Sequence, residues 1–285
     1  MNNIFNIRRF GLVLSKDFQE KWKRYVLQFL TMFGIMAIVL IWSRYNYYHN
    51  IIPNINMNYE NIYLLGLASL MFLGFGVFYA STFMEPMQEK TGRIAYLTIP
   101  ASDFEKFLSR WLIVTVGYII SFFIALWIAD AVRVVFLSYR FPRLDIRFLD
   151  FSKLVNLEKK DNYSDYVFFS TYFFGFWTGI YALLQSLFIL GATFWGKISF
   201  VKTFSAITLI VGSFLYLNWQ IIKIIYQDMG KFENKVGAFF DSIIPADISP
   251  NSVFLIVTCI LVFFTLLCWI IAFFRFRESE IIKRI

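Results

Sequence analysis

Six continuous apolar runs constrain this chain more than any other feature: residues 25–42, 62–83, 111–129, 167–193, 204–222 and 253–274. About 20 apolar residues in helical form cross roughly 30 Å of hydrocarbon. Lipid gives the backbone no hydrogen-bond partner, so only helices and closed barrels span it. Barrel strands alternate apolar and polar residues, and these runs do not. The expected fold class is therefore all-α, a polytopic membrane protein with six transmembrane helices. Composition agrees: 59% of the 285 residues are apolar and 16% charged, too few charges to wet a soluble surface.

Lys and Arg collect beside the inner ends of membrane helices. Sixteen fall in the N-terminal tail, the loop after the second span, the link after the fourth and the C-terminus. The opposite loops hold ten, diluted with Asp and Glu. Both termini are expected in the cytoplasm. Tryptophans prefer the interface; Trp22, Trp111, Trp195 and Trp269 lie near inner ends, and Trp42, Trp127 and Trp219 near outer ones. The net charge of +8 is then mostly the inward positive excess. Membrane lipids, not nucleic acid, are its expected partner. The first 24 residues lack the apolar core of a signal peptide, so no cleavage is expected.

Residues 1–24 form a separate region before the transmembrane domain of residues 25–285. Phe10, Leu14, Phe18 and Trp22 recur every four positions there. This predicts an N-terminal amphipathic interfacial helix, after which the chain turns into the first span; a solvated tail is the alternative. The outer loop 139–165 contains RLDIRFLDF, whose alternation predicts a short strand or ribbon. Residues 236–250, broken by Pro245 and Pro250, read as an outer interfacial or re-entrant segment.

Catalytic groupings are missing. The single His, His49, has no Cys, Asp or His cluster in sequence around it, and neither zinc spacing nor a G-x-S-x-G elbow occurs. No G-x-x-x-x-G-K-[ST] loop is present, so ATP hydrolysis is not expected in this chain. Asp130 and Arg133, three apart near the outer interface, read as a structural ion pair, with a gate as the other reading. Thr171, Gly175, Thr178 and Gln185 share a face of the fourth span, and Gly175 and Gly179 have small-xxx-small spacing. Close helix packing and a pathway lining are both open for that face.

The inner loop 84–110 is the most structured of the loops. Pro86 suits a helix first turn. Met87, Ile94 and Leu97 then fall on one face, with Glu89, Lys90 and Arg93 around the rest, and Pro100 ends the helix. Ser102 and Glu105 form an S-x-x-E capping box for the helix entering the third span. Helix, break, helix predicts a docking surface for a soluble partner.

With six spans, an amphipathic N-terminal helix and the stretch EKTGRIAYLTIPASDFEKFLSRW, the chain resembles ABC-2 type transporter permeases. Glu89, Gly92, Leu97, Pro100 and Ser102 match the acidic, Gly, Leu, Pro and small positions of that family's coupling segment. The resemblance implies the membrane-spanning subunit of an ABC transporter, an exporter rather than an importer, in a bacterial inner membrane. It would pair with a second copy or a related permease. A cytoplasmic ABC ATPase would bind ATP and Mg and dock on Met87, Glu89, Lys90, Gly92, Arg93, Ile94, Tyr96, Leu97 and Pro100. The stretch KVGAFFDSIIPADISPN resembles the family's short outer helices, whereas the long loop 139–165 departs from its pattern. A non-transporting membrane protein (an immunity, assembly or sensor component) is the competing expectation.

Overall fold

In a computed structural model, residues 5–50, 57–88, 90–142, 144, 146–151, 171–195, 198–225 and 250–282 are described. They contain helices α1 (Ile7–Asn50), α2 (Met57–Ser81), α3 (Lys90–Leu97), α4 (Asp103–Leu112), α5 (Tyr118–Arg140), α6 (Thr171–Phe194), α7 (Ser199–Ile225) and α8 (Pro250–Ile282). No sheet occurs among the described residues. Six helical stretches are long and apolar enough to cross a bilayer. The chain is a multi-pass helical membrane protein.

Two helical runs exceed the length of a span by the widest margin. Helix α1 runs 44 residues, about 66 Å, without the turn expected between the amphipathic segment and the first span. Nothing in that stretch stops a helix: it holds no Pro, and Gly11 and Gly34 each cost only about 1 kcal/mol relative to Ala. Helices α4 and α5 are likewise continuous, joined by a π turn over Ile113–Gly117. The stretches 7–24 and 103–110 therefore extend beyond the length that hydrocarbon needs.

Between helices, lipid supplies no hydrophobic driving force, so close packing and small residues hold them together. Ala125 and Ala129 of α5 are fully buried in a core with Met36 and Leu40 of α1 and Leu64 of α2. Towards the α3 end a second core joins Phe83, Phe107, Phe188, Ile189, Ala272 and Phe276. At the opposite end Tyr48, Leu137 and Ile146 form a small third cluster. A Cβ on Gly191 of α6 would overlap Thr203 of α7, so glycine lets those two helices touch. Ser199 also donates to the Ser81 carbonyl at 2.7 Å, tying the start of α7 to the end of α2. Beyond these turns α7 is exposed, with Leu209, Ile210, Phe214 and Leu215 facing outward.

The strand expected in RLDIRFLDF is not formed by residues 146–151. That segment lies on the bundle end, held by side chains instead of by a second strand. Leu149 N donates to Asp130 Oδ2 (2.8 Å), and Arg133 Nη2 donates to the Arg147 carbonyl (2.7 Å). Asn61 completes the arrangement by donating to the Asp150 carbonyl and accepting from Asp150 N, both at 3.0 Å. Residues 152–165 of the loop, and 236–249 of the re-entrant segment, lie outside the described residues.

Candidate functional site

The loop between α2 and α4 is built from local bonds. Helix α2 stops at Ser81, and a turn leads into a 3-10 turn over Glu85–Met87 that carries Pro86. Pro86 thus opens this short turn and not α3, which begins only at Lys90. Arg93 donates through Nε and Nη2 to the Met87 carbonyl (3.2 and 3.1 Å), folding α3 back on that turn. Helix α3 ends at Leu97, before Pro100 rather than at it.

Burial divides the expected docking residues. Met87 and Tyr96 are buried, and the Tyr96 hydroxyl donates to the Lys106 carbonyl at 3.1 Å. Both belong to the core around Phe83, Phe107 and Phe276, so they brace α3 and do not offer a surface. Ile94 is 55% exposed, Pro100 is exposed and Gly92 and Arg93 are half-buried. Glu89, with the side chains of Lys90 and Leu97, lies outside the described residues. The accessible face is thus narrower than the sequence implies, and Ile94 is its large apolar residue.

Ser102 and Glu105 do form the reciprocal capping box: Glu105 N donates to Ser102 Oγ (3.3 Å) and Ser102 N to Glu105 Oε2 (3.1 Å). Glu105 has a second role that the sequence did not disclose. Arg9 grips its carboxylate with Nε at 2.6 Å and Nη2 at 2.8 Å, and Asn6 N donates to Oε1 at 2.7 Å. This fully buried carboxylate therefore fastens the beginning of α1 to the beginning of α4. The Arg9 guanidinium, with the two backbone N–H donors, holds its pKa well below the usual carboxylate range, at about 2. Being depressed, it contributes at any pH above that range and fails only on descent towards 2. Farther along, Ser109 donates to Asp17 (3.2 Å), Arg110 to the Tyr25 hydroxyl (3.4 Å), and Arg24 pairs with Glu85. Helix α1 is keyed to α4 and to the loop at three levels.

Glu105→Gln retains the shape but loses the charge that Arg9 needs. Trypsin should then cut at Arg9 several-fold faster in the detergent-solubilised protein. An unchanged cleavage rate would mean that other contacts hold the N-terminal stretch.

The remaining candidates fall into buried and exposed groups. Asp130 and Arg133 are both buried and paired at 2.7 Å, the structural arrangement expected of them. A Cβ on Gly179 would approach Leu261 Cδ1 at 3.3 Å and one on Gly175 would meet Thr258, so these two glycines lie against α8. Thr178 is exposed and donates to its own helix at the Gly175 carbonyl. Gln185 is buried and donates to the Val114 carbonyl (3.4 Å) inside the π turn, where the backbone ladder is shifted. The side chain of Thr171 lies outside the described residues. No group of His, Cys, Asp and Glu able to hold a metal occurs among the described residues.

Comparison with family models, with curated proteins and with solved structures returned no match.

Proposed function

We propose that the chain is the membrane-spanning permease subunit of an ATP-driven ABC exporter and docks a separate ATPase through the loop between α2 and α4. The observation that carries this reading is the position of α3. It is a short helix with an exposed apolar residue, Ile94, braced from behind by Met87 and Tyr96. Its support continues through α4 into α5, and Glu105 links the same support to α1. A force applied at α3 would therefore reach two membrane helices without crossing a flexible joint. In this reading the α3 end faces the cytoplasm of a bacterial cell, a second copy or a related permease completes the pathway, and ATP and Mg bind in the ATPase.

The test is purification of the tagged full chain from its native membranes in mild detergent, with co-purifying proteins identified by mass spectrometry. A stoichiometric P-loop ATPase is the expected result. Recovery of the chain alone, or with a partner lacking a P-loop, would overturn the transporter reading in favour of a non-transporting membrane protein.

A further inference from the structure

A groove of about 980 Å³ opens between α1, α2 and the α4–α5 helix. Its walls are chiefly apolar, and Phe29, Met32, Met71 and Phe75 are among the residues that form them. Along α1 the lining runs from Gly11 to Ile35, about 36 Å of helix. One leaflet of hydrocarbon is only about 15 Å deep, half of a bilayer core. The groove therefore begins outside the hydrocarbon at the α3 end and continues into it. An occupant matched to both parts has a polar end and a long apolar body.

The polar end is charged. Tyr25, Gln28 and Tyr79 line both this groove and an adjoining cleft that contains Lys21, Arg24 and Arg110. Two carboxylates, Asp17 and Glu85, face these three cations, which leaves one positive charge in excess. Glu85 is paired with Arg24, and Asp17 accepts from Ser109. Arg110 is only 3% exposed, forms no ion pair among the described residues, and its Nε has no hydrogen-bond partner. A partly buried cation cluster with one charge unbalanced is costly. An incoming anion relieves that cost, and a phosphodiester accepts well from arginine.

We propose that this groove is a binding site for one acidic phospholipid of the surrounding bilayer, its phosphate at the mouth of the cleft that holds Lys21, Arg24 and Arg110 and its acyl chains along α2. The site is complete within a single chain and does not depend on the transporter reading. Occupancy would fill the space between α1, α2 and the α4–α5 helix from the level of Tyr25 inward, so the lipid serves as a structural part of the packing of these helices.

The test is native mass spectrometry of the delipidated full chain, titrated in detergent with phosphatidylglycerol or phosphatidylcholine. One phosphatidylglycerol should bind about tenfold more tightly than phosphatidylcholine, a difference of about 1.4 kcal/mol. Arg110→Gln should abolish that preference. Arg110 is buried, so a second variant guards against misfolding: Gly74→Phe. Gly74 lines the groove and a Cβ there meets nothing within 4 Å, so the ring enters the apolar part without disturbing the cations. It should weaken binding of both lipids about tenfold, again about 1.4 kcal/mol. Equal affinity for the two lipids would overturn the proposal, as would a preference that survives Arg110→Gln or an affinity that Gly74→Phe leaves unchanged. A dimer that persists after delipidation and is broken by Gly74→Phe would also overturn it, because the occupant would then be a second copy of this chain.

Discussion

Ile94→Asp is expected to leave the protein inserted and monodisperse while removing the P-loop ATPase from the purified complex. Ile94 is absent from the internal cores: it is an exposed large apolar residue of α3, and the residues that hold the helix in place are Met87, Arg93 and Tyr96. A carboxylate there costs the fold almost nothing. In a docked interface it would be a desolvated, unpaired charge, and such changes cost a few kcal/mol, enough to lower affinity about a hundredfold or more. Stimulated ATP hydrolysis in reconstituted vesicles should fall with it. Retention of the ATPase at full stoichiometry, with hydrolysis unchanged, would show that α3 is not where the partner binds. Tyr96→Ala makes a useful contrast, because it removes part of the core behind α3 and should lower stability as well.

Asp130→Ala should destabilise the protein by about 3 kcal/mol, since it leaves a buried guanidinium without its counter-charge. The same change strips Leu149 N of its acceptor. Unfolding in mixed micelles measures the loss, and faster protease cleavage near residue 149 reports release of the segment. Adding Arg133→Met to Asp130→Ala should restore part of the stability, because an apolar pair of similar volume tolerates burial better than a lone charge. A loss below about 1 kcal/mol, in the range of an exposed pair, would show that the ion pair is incidental. Conversely, full stability with a changed transport rate would make the pair a gate.

The spans were legible because lipid demands length and apolarity and little else. The capping box was legible too, being a local pattern of four residues. Its partner Arg9 was not, since no spacing rule connects residues 96 apart. The face of α3 was misplaced for a geometric reason. Treating Pro86 to Leu97 as one helix assumes 3.6 residues per turn throughout, whereas Glu85–Met87 is a 3-10 turn with three. That difference, with the break before Lys90, rotates Met87 away from Ile94. In RLDIRFLDF the alternation was real, but Asp130, Arg133 and Asn61 satisfy the backbone that a second strand would otherwise have paired. Small-residue spacing drew attention to Gly175 and Gly179, yet among the described glycines the closest approach is at Gly191, against Thr203 of α7.

The way α7 is fastened has a consequence for the bilayer itself. Its first turns are fixed by the Gly191–Thr203 contact and the Ser199–Ser81 bond, while its later turns, from Leu209 onward, are exposed on the surface of the bundle. At 27 residues it is about 40 Å long, but its apolar run of residues 204–222 is about 28 Å, close to the roughly 30 Å of hydrocarbon. A span matched to its membrane has little to hide by leaning, whereas a thinner bilayer would make it lean. With one end anchored and the other exposed, α7 would take up that change by pivoting about Gly191 and Ser199.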